Sequence, residues 1–351
     1  RASSKGRQYE NFAIGETEMR PSAAFLTIVL HVAVANNFPE PLIPERAQVR
    51  PVRSSWNSSI LVGTHHKTGT VLLAKVFRLA AKTMGVPRSK ANKTSTGAAC
   101  AELFAARSPG VCIEEHTSDR TLRQWLAPGA PFIHMVRDPV AMCVSAYQYH
   151  LLATEPWLQQ PYKDLQGHTL QHYYHNTSRA DGVRFECKRL MNEIVEEALV
   201  FNATKVRAGT LTFFFESFSA DFDGTMRQMF EFLDSGAAVE QLVKQASQYD
   251  LSRHGAEDER HVSTSQEKPA LREMLFADEM LRDILIDMRV FLGYSRGIVA
   301  PEPGLLCSKL RTLCATTNVG FFSWCPHGRV VRGKIPSLPD CGEPANPRQR
   351  H

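Results

Sequence analysis

Apolar positions change period along the chain in a way that lays out its elements. Ile60, Leu61 and Val62 form a short continuous run that stops at Gly63. Small and basic residues follow, and from Val71, Leu72, Ala74 and Val76 the apolar positions resume at helical spacing. The alternation recurs downstream. Residues 110–116 (GVCIEEH), 131–138 (PFIHMVRD) and 210–217 (TLTFFFES) read as strands. Residues 184–202 read as a helix with Leu190, Ile194, Ala198 and Phe201 on one face, and 223–235 and 271–293 read as further helices. Strands separated by helices predict an α/β fold, a three-layer sandwich with a central, mostly parallel sheet flanked by helices. In such a fold ligands sit at the carboxyl ends of the strands, so the residues after each strand carry the candidate chemistry.

The ends of the chain fall outside this pattern. Met19 and Arg20 precede an apolar core over 23–35 that ends in Ala33-Val34-Ala35. That is the layout of a secretory signal or short anchor over 19–35, with 1–18 as upstream sequence. The apolar core is shorter than the ~20 residues that span a bilayer, so a cleaved signal is the preferred reading. Residues 36–55 hold four prolines and no apolar period, as an exposed stem would. The main domain is expected over 56–300, followed by a cysteine-containing tail over 301–351. Glycosylation sequons begin at Asn57, Asn92, Asn176 and Asn202. The eight cysteines, none in CxxC spacing, point to disulfides rather than zinc. Both features favour a lumenal protein. A net charge of +5 without a dense basic run suits an anionic ligand, not nucleic acid.

Three strand ends offer chemistry. After the first, Gly63, Lys67, Thr68, Gly69 and Thr70 form a short loop into a helix, the arrangement in which helix N–H groups and a lysine grip phosphate. An ordinary strand–helix turn with a solvated lysine fits the same residues. Lys67 precedes Gly69, so the order is not that of the nucleotide-triphosphatase loop, where the lysine follows the second glycine. After the second strand, alternation places Glu114 and His116 on one face, a pair able to take a proton together. After the third, Arg137 and Ser145, two helical turns apart, make a clamp for a second phosphate, while Asp138-Pro139 is equally a helix start.

A lysine loop and an Arg-x7-Ser pair together describe a nucleotide with phosphates at two separated places. At GTHHKTGT (63–70), MVRDPVAMCVSAY (135–147) and FFFESFSADFDGTMRQMFEFL (213–233) the chain resembles the PAPS-dependent sulfotransferases. The donor of that family is 3′-phosphoadenosine 5′-phosphosulfate (PAPS), and the resemblance runs from about Trp56 to about Gly293. It implies a P-loop-like form of the sandwich and adenosine 3′,5′-bisphosphate (PAP) as product, with no metal required. It places Lys67, Thr68, Gly69 and Thr70 on the 5′-phosphosulfate and Arg137 and Ser145 on the 3′-phosphate, with Lys67 also offsetting charge on the leaving oxygen.

The run Glu114-x-His116-x-x-Asp119 is similar to the heparan-sulfate-type branch, where a glutamate is the base. The cytosolic branch uses a histidine at about the His116 position. Glu114 is preferred because a carboxylate is already ionised at neutral pH, with His116 second. The chain departs from the family in having Val71-Leu72 after the loop, His65-His66 before the lysine, and no evident late glycine-rich basic loop; Arg260, His261, Ser263 or Lys268 stand in about its place. The resulting expectation is a sulfotransferase of the Golgi lumen acting on a hydroxyl or amine of a glycan. A sulfotransferase of small hydroxylated metabolites, a nucleotide kinase and a non-catalytic member of the fold are the alternatives. Membrane contact is expected only if 23–35 is retained. The aromatics Trp157, Tyr162, Tyr173 and Tyr174 either stack on sugar rings or pack.

Overall fold

The computed structural model describes residues 56–91, 98–126, 129–162, 165–254, 266–294, 306, 308–310 and 312–313. The upstream, signal and stem segments lie outside the described residues. So do nearly all of the tail, Asn92, and the candidate loop residues Arg260, His261 and Ser263.

Among the described residues five parallel strands form one sheet: β1 (Ser59–Gly63), β2 (Arg88–Ala91), β3 (Gly110–Glu114), β4 (Phe132–Val136) and β5 (Thr210–Phe214), in the order β2-β3-β1-β4-β5. The helices between and after them are α1 (Thr70–Met84), α2 (Ala98–Ala105), α3 (Asp119–Trp125), α4 (Pro139–Leu152), α5 (Leu170–Asn176), α6 (Arg179–Thr204), α7 (Phe215–Ala220), α8 (Phe222–Phe232), α9 (Val239–Ala246), α10 (Leu251–His254), α11 (Lys268–Phe276) and α12 (Glu279–Phe291). The three-layer reading follows from the strand alternation. Ile60 and Val62 pack with Leu73, Val76 and Phe77 of α1, whereas Leu61 between them packs with Val200 of α6. All three β1 residues are fully buried, worth about 1.5–3 kcal/mol each.

Three sequence expectations are corrected. The strand over 110–116 ends at Glu114, so the alternation argument does not reach His116, which lies in the turn beyond. The helix over 271–293 is two helices, broken where the Asp278 side chain accepts the Leu281 N–H and caps α12. Strand β2 was not expected, because Arg88-Ser89-Lys90-Ala91 has no apolar run; it is an edge strand held by its pairing with β3.

Gly63 closes β1 where a Cβ would sit 2.7 Å from Thr117 Oγ1 and 2.8 Å from Phe132 Cε2, so the turn tolerates no side chain there. Disulfides join Cys100 of α2 to Cys112 of β3 and Cys143 of α4 to Cys187 of α6. The other cysteines lie outside the described residues. Among the described residues no helix is long and apolar enough to cross a membrane.

Candidate active site

Because β3 and β4 flank β1, the carboxyl ends of these three strands meet where the connections turn to opposite sides of the sheet. The loop after β1 is built from its own polar groups. The His65 N–H donates to Thr68 Oγ1 at 2.9 Å, and the Thr68 hydroxyl donates back to His65 O at 3.0 Å. Thr70 Oγ1 lies 2.9 Å from Thr64 Oγ1. The buried Thr68 hydroxyl thus serves the loop itself.

Lys67 has φ 65° and Gly69 φ 103°. A left-handed lysine is strained backbone of the kind found at ligand clamps. At Gly69 an added Cβ would stand 2.9 Å from the Phe215 ring. The first helical hydrogen bond of α1 is from Leu73 N–H to Gly69 O, so the N–H groups before it are free of the helix ladder and face its N-terminal end.

Arg137 reaches this loop directly. Its Nη1 donates to Lys67 O at 2.6 Å, and its guanidinium lies 4.3 Å from the Phe215 ring centroid. The main-chain N–H of Arg137 donates to buried Glu197 of α6 at 2.6 Å, and its Nε is buried without a partner among the described residues. Asp138 and Pro139 start α4 as well: Asp138 Oδ1 accepts from Val140 N–H at 2.8 Å. The helix-start reading of this motif therefore holds, and it leaves the Arg137 side chain directed at the loop after β1. Ser145 is buried on α4, two turns on.

Lys67 Nζ sits 3.8 Å over the Tyr149 ring. Burial, then the Arg137 charge, lowers its ammonium to about 8. Lys268, at the start of α11, is half-buried; burial and then Arg137 hold it below the ordinary lysine range. The structure thus gathers Lys67, Arg137 and Lys268 into one positive region.

Across β1, Glu114 ends β3 half-buried. Burial raises its carboxyl to about 7, with His116 acting in the opposite direction. The expectation that Glu114 is fully ionised at neutral pH is corrected accordingly: about half of it is protonated, which suits a general base working near pH 7.

Glutamates of α6 are the residues the sequence reading missed. Glu186, Glu193 and Glu197 fall at spacings of seven and four, one helical stripe. Glu186 lies 3.0 Å from His150 Nδ1 and accepts from Nε and Nη2 of Arg189 and from the Tyr174 hydroxyl. Glu193 Oε2 lies 3.0 Å from His116 Nδ1. Glu197 accepts from Arg137. The signal lies in the spacing of the acids, on a helix whose apolar face dominates its pattern.

His65 and His66 prove to be packing groups. His65 Nε2 lies 3.1 Å from His134 Nε2 of β4, and burial pushes His65 down to about 4 and His134 well below its ordinary value, so both rings are neutral. The His66 ring stacks on His150 at 5.1 Å. The aromatics pack too: Tyr174 is buried against Tyr147 and Phe185, and Trp157 lies edge-on to His150.

A family model described as sulfotransferase domain matches residues 57–273. The chain belongs to this sulfotransferase family. As the resemblance implied, the enzyme is PAPS-dependent, with PAP as its product. A comparison with curated proteins finds no match. Among solved structures, the crystal structure of mouse sulfotransferase SULT7A1 complexed with PAP is similar at 17% identity, covering 64% of this chain and 78% of that one with a TM-score of 0.37. The positive region of this sulfotransferase fits a donor with two anionic ends: the left-handed Gly69, closed in by Phe215, brings backbone close at one end, and the unpartnered buried Nε of Arg137 stands at the other.

Proposed function

We propose that this sulfotransferase moves the sulfuryl group of PAPS to a hydroxyl or amine of a glycan in the secretory pathway, in the Golgi lumen. Lys67, Gly69, Thr70 and the N-terminus of α1 hold the 5′-phosphosulfate, Thr68 shapes that loop, and Arg137 and Ser145 hold the 3′-phosphate with Lys268 beside them. The observation that supports the donor assignment is the 2.6 Å hydrogen bond from Arg137 Nη1 to Lys67 O, which ties the proposed 3′-phosphate residue to the proposed phosphosulfate loop. In the reaction the acceptor oxygen or nitrogen bonds to sulfur as its proton passes to Glu114 or His116. The bond from sulfur to the bridging oxygen of the 5′-phosphate breaks, and PAP leaves with charge that Lys67 offsets. Such a transfer runs through a loose transition state, so positioning and charge supply the catalysis.

Support for a lumenal glycan acceptor comes from the sequons, of which Asn57 and Asn176 are exposed, from cysteines in disulfides, and from the Glu-x-His-x-x-Asp run. The test is thermal stabilisation by PAP beside ATP with magnesium, on wild type and Arg137→Ala. PAP at a hundred times its Kd should add about 2.7 kcal/mol to wild type, and less in the variant. Labelled PAPS is then offered glycans and small phenols in parallel. A shift with ATP alone would refute the donor, and labelling of phenols alone would refute the glycan.

A further inference from the structure

The contact between Glu193 and His116 gives one carboxylate a hold on both halves of the site. Glu193 sits on α6, the long helix against the sheet, and its side chain is 17% exposed; that of His116 is 27% exposed. Its Oε2 lies 3.0 Å from His116 Nδ1, and the same oxygen accepts from the His66 main-chain N–H at 3.5 Å. His66 is the residue immediately before Lys67 in the loop. A carboxylate only accepts hydrogen bonds, so the contact places the imidazole proton on Nδ1 and leaves Nε2 as the ring's acceptor. No protein group occupies Nε2 among the described residues. The ring follows β3 in a turn, where strand alternation does not orient it.

We propose that Glu193 is a positioning residue for sulfuryl transfer, fixing the His116 tautomer and tying that ring to the phosphate loop through His66. The proposal rests on the sulfotransferase reading above, and adds to it a residue that acts through His116 and the loop. With Nε2 open, His116 takes the acceptor proton, or receives it from Glu114, while the acceptor atom bonds to sulfur. With the other tautomer, Nε2–H points at a proton it cannot take. The main-chain contact makes a second demand: any displacement of α6 moves the ring and the loop together. This keeps the proton acceptor in register with the phosphosulfate.

The test uses the full chain labelled with 15N-histidine, with His116 assigned from His116→Gln. In mildly alkaline buffer, where imidazoles are neutral, nitrogen shifts report which ring atom carries the proton. Wild type should show His116 protonated on Nδ1, with PAP bound or absent. Glu193→Ala should show a mixture or the Nε2–H form. Glu193→Gln, close in shape and still able to accept, should keep more of the Nδ1–H form. Turnover of PAPS with the labelled acceptor should fall at least about tenfold in kcat for Glu193→Ala, the lower part of what a misplaced base costs, with KM for PAPS and the PAP thermal shift unchanged. An Nε2–H ring in wild type, or a Glu193→Ala variant with tautomer and kcat unaltered, overturns the proposal. Failure of wild type to bind PAP refutes the donor reading instead, and the tautomer still decides the role of Glu193.

Discussion

Replacing Glu114 with Gln tests the burial argument and the base assignment in one variant. Burial raises the Glu114 carboxyl from 4.5 to about 7, so this group holds its proton more tightly in the folded chain than in the unfolded one. Between those values the folded state carries more protons. Stability therefore falls as pH rises through the window and levels off above it. At 1.36 kcal/mol for each pH unit the full difference is roughly 3 kcal/mol. The side chain is half open to water, which screens it, and about 1–2 kcal/mol is the expected size. Gln has the same shape and does not titrate. Urea unfolding of both proteins from roughly pH 4.5 to 8 should show Glu114→Gln gaining that amount on wild type across the window, groups common to both cancelling. In turnover with PAPS, wild-type kcat should rise through about pH 7, and the variant should lose about 10²–10⁴-fold. A stability difference flat with pH refutes the burial argument. Full turnover by the variant refutes Glu114 as base.

Three further outcomes follow from the geometry. Arg137→Ala removes the bond to Lys67 O but keeps the main-chain N–H to Glu197, so the fold should hold while PAP affinity falls about 10–100-fold, the worth of one charge-assisted bond; calorimetric titration within about threefold of wild type would contradict this. Gly69→Ala puts a Cβ 2.9 Å from Phe215 Cδ2 at φ 103°, and should cost about 1–3 kcal/mol of stability and abolish the PAP shift, with an unchanged Tm as the contrary result. Replacing Cys143 and Cys187 with Ser unlinks α4 from α6 across 44 positions and should cost about 2–4 kcal/mol by denaturant unfolding; equal stability of the two proteins would show that the link constrains nothing.

Legibility in the sequence tracked how local the physics was. Strands β1, β3 and β4 announce themselves because buried parallel strands are mostly apolar runs, β5 because Leu211, Phe213 and Phe214 are interleaved with β-branched threonines, and the loop after β1 because only a few residues intervene before the helix. Strand β2 did not, since polar Arg88-Ser89-Lys90 becomes a strand only by pairing with β3. Lys67 and Arg137 could each be picked out by position after a strand, and Lys268 only as one of four residues in the place the family resemblance points to, but not the bond from Arg137 to Lys67 O, which spans 70 positions. His65 and His66 looked like departures from a motif; one meets His134 and the other stacks on His150, both far away along the chain. The glutamates of α6 were hidden for the same reason. Their spacing is local, but what makes them part of the site is the set of loops that tertiary packing lays against them.

That helix also shows how one scaffold sets opposite states on identical side chains. Burial alone would raise Glu186, yet Arg189 and His150 overcome it and hold the carboxyl well below its ordinary range. Burial raises Glu197 well above that range; its main-chain bond from Arg137 opposes this, while the Glu216 and Asp138 carboxyls nearby reinforce it. Asp138 in turn has Arg289 Nε 3.0 Å from Oδ2, a distance fit for an ion pair although the N–H is not aimed along it. A carboxyl raised in this way has a consequence for Arg137. It can take the main-chain N–H without neutralising the guanidinium, so the side-chain charge stays available to an anion at the loop. An ionised carboxylate in that place would compete with the proposed 3′-phosphate for the same cation, at a cost that grows in a buried setting. On the proposed donor site, the burial that raises Glu197 therefore acts in the same direction as the arginine.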